Sequence, residues 1–362
     1  MNILYIVDYF EPSKWWVEKV FKNLSDYFSK KNNIIVLTSK FLPNIKDIEI
    51  NWNIKIYRIW KNRLWFTILW SFVWLKLIKN IDLIHTSTYN SAYVTRFITL
   101  FKKIPVVLTS HEIIWYNWFI FKWKFKWRLY KKIEDFIYKF WFYYVFVSHH
   151  VKNIAVSSYN ITKFSVIYNW LDISNKTNLE ISKESLWFSK NDLVWVFAWR
   201  PWRTKWLDFL IRNFNNIKKI NKNFKLLILL LEKDNLKKIN SIKKNINTND
   251  IKILYEIPYD EVYSYFNVAD FWIVTSRSEW FWFVALEFSK LWKPCVLPFV
   301  WAIPEIAFWD CHFFKPDNDI SFINSVKEII NWKKKNYSYD KKLTLDKMFC
   351  EYEKLYNKIW KI

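Results

Sequence analysis

The chain contains no glycine in 362 residues. Glycine ordinarily makes up about 7% of a protein. It is the residue of positive-φ turns, helix ends and close backbone approaches to ligands. A chain of this length without it would meet each of those at a steric cost. Cysteine is almost absent too: Cys295, Cys311 and Cys350 show neither metal-ligand spacing nor a disulfide framework, which points to a reducing compartment. No apolar run approaches the roughly 20 residues of a membrane-spanning helix. The longest, Leu64 to Leu75, is interrupted by Thr67 and Ser71. The opening Met1-Asn2-Ile3-Leu4-Tyr5-Ile6-Val7-Asp8 lacks the basic start and cleavage site of a secretory signal and reads as a buried strand. A cytoplasmic protein with peripheral membrane contact is expected.

What is present in excess is tryptophan, 26 residues, about the share glycine usually takes. These residues fall where glycine chemistry is expected: Trp15-Trp16 opening a helix, Asn169-Trp170, Arg200-Pro201-Trp202, Lys205-Trp206 and Glu279-Trp280-Phe281-Trp282. UGA codons that the cell reads as glycine, rendered as tryptophan by another translation table, would leave this signature. The alternative is a truly tryptophan-rich protein.

Lysine and arginine total 56 against 33 acidic residues, a net charge of +23. Attraction to anionic headgroups or phosphorylated substrates explains such a balance. So does an A/T-rich genome, because Lys, Asn, Ile, Phe and Tyr are all abundant. Both readings stay open. Lys122, Lys124, Lys126, Arg128, Lys131 and Lys132 form one basic cluster. A nucleic-acid partner is not expected.

Short apolar runs alternate with amphipathic ones, the pattern of β/α units around parallel sheets. Strands are predicted at Ile3–Val7, Asn33–Thr38, Ile54–Tyr57, Leu83–His85, Val106–Thr109, Tyr144–Val147 and Phe164–Ile167. Val17–Lys30 is predicted as a helix. The polar stretch Asp172 to Asp192 reads as a linker. Beyond it, strands are predicted at Leu193–Ala198, Leu226–Leu230, Ile251–Leu254, Phe271–Val274 and Cys295–Leu297, with a helix at Lys205–Ile217 and a last one at Leu343–Ile362. The expected organisation is an N-terminal Rossmann-like domain over 1–180, a second over 181–342, and a C-terminal helix over 343–362 packing back toward the first. Open α/β sheets bind ligands beyond the carboxyl ends of their strands.

Four constellations fall at such strand ends. Arg200 and Lys205 follow the strand that opens the second domain and precede a helix, so two cations meet a helix N-terminus, which suits a diphosphate. An exposed basic loop is the plainer alternative. Glu279 and Glu287 flank seven residues. With Trp280 and Trp282 read as glycine, that loop backbone can approach a ligand and present the N–H groups of Phe283 and Val284. Spacing alone is weak, since paired glutamates are usually solvated. Ser13-Lys14-Trp15-Trp16-Val17-Glu18, read through glycine, becomes a phosphate-approaching loop ahead of a helix; an ordinary strand–helix turn would look the same. His111, in Ser110-His111-Glu112, follows a strand and either binds a sugar hydroxyl or is structural.

Together these residues resemble the family-4 retaining glycosyltransferases of the GT-B fold, over nearly the whole chain and in order. Lys14-Trp15-Trp16-Val17-Glu18 is similar to the family's Gly-Gly-x-Glu loop, and His111-Glu112 to its His-Asp/Glu position. Tyr168-Asn169-Trp170-Leu171-Asp172 is similar to its Asn-Gly-Val-Asp segment. Ala198-Trp199-Arg200 with Lys205-Trp206 is similar to its Gly-Arg…Lys-Gly segment. Ser276-Arg277-Ser278-Glu279-Trp280-Phe281-Trp282 through Glu287 is similar to its E-x7-E motif, and Phe299-Val300-Trp301-Ala302-Ile303-Pro304-Glu305 to the Gly-x-Pro-Glu turn that follows. Tyr255-Glu256-Ile257 departs from the family's Phe-x-Gly, and Glu232-Lys233-Asp234 stands where a Gly-rich strand end is usual.

The resemblance implies two doubly wound domains facing a cleft and transfer of a sugar from a nucleoside-diphosphate sugar to a glycan or lipid-linked acceptor in cell-envelope polysaccharide synthesis. Arg200 and Lys205 would hold the donor diphosphate, with the Trp16 backbone N–H and the loop of Trp282, Phe283 and Val284. Glu287 would bind the ribose, and Glu279 and His111 the donor sugar. It implies no metal and no cofactor. Asp317-Asn318-Asp319 matches a metal-binding D-x-D only superficially. Two rival readings remain: a sugar-nucleotide epimerase of the same fold, or, with genuine tryptophans plugging the donor pocket, an inactive glycan- or membrane-binding relative.

Overall fold

Strands buried on both faces of a parallel sheet carry near-continuous apolar side chains, and this chain supplies them in two series. In the computed structural model, residues 1–13, 16–59, 80–114, 126–170, 180–198, 207–230, 248–258, 261–277, 293–307, 310–331 and 344–361 are described. The backbone divides into one compact unit of Met1–Asp172 with Lys341–Ile362 and a second of Ile173–Asp340.

The first unit holds β1 (Asn2–Ile6), β2 (Asn33–Ser39), β3 (Ile48–Asn51), β4 (Ile54–Ile59), β5 (Leu83–Ser87), β6 (Val106–Ser110), β7 (Tyr143–Phe146) and β8 (Phe164–Val166). Their order in the sheet is β3-β4-β2-β1-β5-β6-β7-β8. Every pair is parallel except β3 with β4. Leu4 stands between Ile35 and Ile84, which fixes the central register. Between strands run α1 (Trp16–Phe28), α2 (Asn90–Phe101), α3 (Lys126–Ile137) and α4 (His149–Tyr159). Helix α1 buries Val20, Phe21, Leu24 and Phe28, the i, i+1, i+4, i+8 stripe of an amphipathic helix. Ser148 caps α4 by accepting from the Val151 N–H at 3.1 Å, as N-cap serines do.

The second unit holds β9 (Leu193–Ala198), β10 (Phe224–Leu230), β11 (Ile251–Tyr255), β12 (Phe271–Ile273), β13 (Cys295–Pro298) and β14 (Cys311–Phe314), ordered β11-β10-β9-β12-β13-β14 and parallel throughout. Its helices are α5 (Leu207–Ile220), α6 (Val262–Val268), α7 (Ile303–Ile306) and α8 (Asp319–Ile330). Phe209, Phe314 and Phe322 pack together where α5, β14 and α8 meet. In both sheets the strand order reverses beside the first strand, which is the topological switch point where open α/β sheets take ligands.

The final helix, α9 (Leu345–Trp360), belongs to the first unit. It buries Met348, Tyr352, Leu355, Tyr356 and Ile359. The Tyr27 ring stacks on Phe349 at 4.3 Å.

Observed strand limits lie within two residues of those predicted, with two additions: β3, an edge strand, and β14. The stretch Asp172 to Asp192 is not all linker. A 3-10 turn at Glu184–Leu186 buries Leu186 and Phe188, and Lys183 bridges to Asp270 at 2.8 Å. Two apolar anchors among Asn, Ser and Lys are enough to dock a segment whose average composition is polar.

Among the described residues, seven non-glycine positions hold positive φ, and three are tryptophans: Trp52 at 49°, Trp187 at 68° and Trp301 at 50°. Trp52 starts the two-residue loop joining β3 to β4, since Asn51 pairs with Ile54. Trp187 is the left-handed cap closing the 3-10 turn. Their indoles are 94% and 86% exposed.

Candidate functional site

The carboxyl ends of β1, β5 and β6 meet at the switch point of the first sheet. Polar groups collect there. Past β1, Asp8 Oδ1 accepts from the Ser91 N–H at 2.9 Å, so a carboxylate meets the first turn of α2, where the helix dipole favours it. Past β5, Tyr89 holds φ 70°, a conformation costly for a bulky side chain. Its hydroxyl donates to Glu112 Oε1 at 2.9 Å. Burial raises the Glu112 carboxyl above the usual carboxylate range.

Past β6 comes His111, on a backbone pinned from several sides. The Ser110 and Tyr138 hydroxyls bond each other at 2.6 Å, and both reach the Glu112 carbonyl, at 3.2 and 3.3 Å. The Ile114 N–H donates to Glu134 Oε1 at 2.8 Å. His111 itself is 8% exposed. Its Nδ1 lies 3.0 Å from the amide nitrogen of fully buried Asn169. Among the described residues its Nε2 has no hydrogen-bond partner, and neither has Asn169 Oδ1. Burial lowers the His111 pKa to about 3, so the ring is neutral at physiological pH. Native proteins leave few buried polar groups unmet, and each needs an explanation. A ligand hydroxyl would supply one here.

Beneath this site lies a second buried histidine. His85 Nε2 meets Thr109 Oγ1 at 2.7 Å and Nδ1 meets the Tyr356 hydroxyl. Thr109 Oγ1 also meets the Tyr352 hydroxyl at 3.0 Å. Burial, with the neighbouring His111, holds His85 neutral. Two tyrosines of α9 thus bond to residues of β5 and β6, while the Trp170 N–H reaches Met348 Sδ at 3.3 Å.

Of the residues singled out from sequence, His111 occupies this strand end, and Trp16 is the first residue of α1. Arg200 and Lys205 fall between the end of β9 and the start of α5, outside the described residues. Glu279, Trp280, Trp282, Phe283, Val284 and Glu287 fall between β12 and β13, also outside them. Asp317-Asn318-Asp319 serves a helix start: Asn318 caps α8 through the Ser321 N–H, and Asp319 accepts from Arg212 and Asn213. Sequence reasoning assigned no role to Tyr89, Asn169 or His85. For Asn169 alone a signal existed, its place in the Asn-Trp-Leu-Asp segment.

Two doubly wound parallel sheets, the second ordered 3-2-1-4-5-6 about its own first strand, define the class: the fold is that of the GT-B glycosyltransferases. Residues 17–175 match the family described as Glycosyltransferase Family 4, and residues 180–342 match Glycosyl transferases group 1. The chain belongs to the family-4 glycosyltransferases and is a glycosyl-transferring enzyme. Among solved structures it is similar to sucrose-phosphate synthase from Thermosynechococcus elongatus, with 13% identity and a TM-score of 0.75 over 99% of both chains. A glycosyltransferase from Rickettsia africae is 18% identical, with a TM-score of 0.68 over 99% of this chain and 98% of that one. Anabaena HepE in complex with UDP-glucose is 12% identical, with a TM-score of 0.70 over 99% and 100%. Comparison with curated proteins found no match.

Proposed function

We propose that the chain is a retaining glycosyltransferase that moves a hexosyl group from a nucleoside-diphosphate sugar to a glycan or lipid-linked acceptor, without a metal or cofactor. The observation that carries this reading is the buried, neutral His111 at the end of β6, whose Nε2 has no partner among the described residues. Such a group suits a sugar hydroxyl, which needs a hydrogen bond but no charge. HepE, solved with UDP-glucose, supports a sugar nucleotide as donor.

Arg200 and Lys205 would neutralise the diphosphate, with the N-terminus of α1 at Trp16 adding backbone N–H groups and a favourable dipole. The backbone of Trp282, Phe283 and Val284 would add further donors. Glu287 would hold the ribose and Glu279 the donor sugar. The departing diphosphate would take the acceptor proton, so no protein nucleophile is assigned, and stabilising that leaving group is the main electrostatic demand on the site. Arg200→Ala and Lys205→Ala should each abolish transfer while leaving far-UV circular dichroism unchanged. NMR of the product should show the donor's anomeric configuration retained. Undiminished turnover in either variant, an inverted product, or epimerised sugar nucleotide released without acceptor would overturn the reading.

Work at a membrane face fits the surface of α3, where Arg128, Leu129, Tyr130, Lys132 and Phe136 are exposed. Basic and apolar side chains interleaved suit an anionic bilayer. No helix among the described residues is long and apolar enough to cross a membrane.

The tryptophan excess fits the same reading through UGA-glycine recoding. A two-residue hairpin loop that reads Gly-Asn is a favoured turn, and position 52 begins one. The residue in a left-handed helix cap is usually glycine, and position 187 is such a cap. Position 301 directly precedes Ala302-Ile303-Pro304-Glu305 and also holds positive φ. These backbone angles support glycine in the native cell. Peptide mass spectrometry on native protein should find glycine at 52, 187 and 301; tryptophan there would refute it.

A further inference from the structure

We propose that Asn169 is a positioning residue that fixes the tautomer of His111: its amide N–H holds Nδ1 as an acceptor, leaving the proton on Nε2 as a donor to a donor-sugar oxygen. This rests on the proposed contact of His111 with the donor sugar.

The amide nitrogen placed against Nδ1 sets this tautomer. A neutral imidazole carries one donor and one acceptor, and which nitrogen holds the proton is set by the bond the other makes. The Asn169 amide nitrogen lies 3.0 Å from Nδ1. With Nδ1 accepting, the groups without a partner among the described residues are Nε2–H, Asn169 Oδ1 and the second amide hydrogen, since Nδ2 makes one bond. Turning the amide over would place Oδ1 against an Nδ1–H. Both amide hydrogens would then be buried without acceptors, together with a bare Nε2. Each orientation leaves two donors and one acceptor unmet, so the assignment rests on the amide nitrogen, a donor only, standing 3.0 Å from Nδ1. Burial of the ring excludes the third state, the imidazolium, in which both nitrogens donate.

Asn169 is itself held in place. It follows β8 by three residues, and the next N–H, that of Trp170, reaches Met348 Sδ of α9. The Phe21 ring, 6.5 Å from the His111 ring, offers that side of the imidazole no polar group. Asn169 touches no reacting atom in this scheme. It acts through His111, so its replacement should alter what Nε2 can do rather than remove it.

Asn169→Asp is the discriminating change. A carboxylate accepts from Nδ1–H and moves the proton off Nε2, converting the sugar-facing nitrogen from donor to acceptor with little change in shape. The tautomer is read by ¹⁵N–¹H correlation of the imidazole nitrogens in the full-length labelled protein. The chain has five histidines, and the His111 signals are identified as those missing from His111→Gln. The wild-type spectrum should show protonated Nε2 and unprotonated Nδ1, and the Asn169→Asp spectrum the reverse. With UDP-glucose as probe donor, kcat/KM should fall roughly ten- to hundred-fold, about the loss expected when a buried group is left unpaired. Of the 2-, 3-, 4- and 6-deoxy analogues, the one lacking the contacted hydroxyl should be used equally by both proteins. If Asn169→Asp fails to fold, Asn169→Ala is read in the same way and should show mixed tautomers. A wild-type His111 protonated on Nδ1 overturns the proposal outright. A tautomer that flips while kinetics with UDP-glucose and all four analogues stay unchanged leaves the Asn169 assignment standing and removes the sugar contact, and with it the proposed role of His111.

Discussion

Replacing Trp52 with glycine in the chain as written should stabilise it, and the structure provides an internal control. Trp52 and Trp141 both lie in the first unit, and their side chains are 94% and 91% exposed. Removing either indole therefore forfeits almost no packing. They differ in backbone: Trp52 holds φ 49°, whereas Trp141 is not among the positive-φ residues. A side chain in the left-handed region costs about 1–2 kcal/mol. Glycine's greater loss of chain freedom on folding takes back about 0.5–1 kcal/mol. Trp52→Gly should gain about 0.5–1 kcal/mol net, while Trp141→Gly loses about 0.5–1 kcal/mol. At about 2–4 °C per kcal/mol for a domain of this size, the two variants should differ by several degrees in melting temperature. Trp187→Gly is a graded case, because Lys252 Nζ sits 4.2 Å above the Trp187 ring. Loss of that contact, about 0.5–1 kcal/mol, should bring its net change near zero. The assay is urea and thermal unfolding of the recombinant tryptophan-bearing protein, followed by circular dichroism. Trp52→Gly no more stable than Trp141→Gly would refute the backbone argument, and with it the glycine reading of position 52.

Three further outcomes are expected. Glu112→Gln should stabilise the protein near neutral pH, with the gain disappearing in acid: the folded carboxyl titrates above its unfolded value, so its protonated form is favoured below the unfolded pKa and that contribution is lost as pH rises through the folded one; urea midpoints at pH 4 and pH 7 test it, and an equal shift at both would refute it. Tyr356→Phe should cost about 1–3 kcal/mol, because it strands His85 Nδ1 in the core; an unfolding change within a few tenths of a kcal/mol would show that the network does not hold α9. Neutralising Arg128 and Lys132 together should cut partitioning onto anionic phospholipid vesicles roughly 30-fold, at about 1 kcal/mol per basic residue near such a surface; unchanged sedimentation would exclude α3 as the contact face.

The strands were legible because most are buried on both faces. Runs such as Ile3-Leu4-Tyr5-Ile6 and Val106-Val107-Leu108 need no partner to be recognised. Strand β3 was missed because Ile48-Glu49-Ile50-Asn51 is an antiparallel edge strand whose side chains are mostly exposed; its stability comes from pairing with β4, which a local window does not contain. Strand β14 was missed because Cys311-His312-Phe313-Phe314 is only partly buried until it closes the edge of the second sheet.

The site divides along the same line. A polar residue directly following an apolar strand, such as His111 after β6, can be picked out by inspection as a candidate. Its electrostatics cannot be read that way. Neutrality comes from burial by elements far away in sequence, and the group that orients the ring, Asn169, lies 58 positions downstream. The His85–Tyr356 bond spans 271 positions, so the histidine layer under the site depends on the last helix of the chain. The strain at Tyr89 is a tertiary product as well. Nothing in Thr88-Tyr89-Asn90 asks for φ 70°, but Glu112 takes its hydroxyl and Asp8 takes the N–H of Ser91, and these two attachments bracket the turn. Residue type therefore identified where chemistry could occur. Which nitrogen carries the proton, and which carboxyl resists ionisation, is decided by packing between segments that the sequence keeps apart.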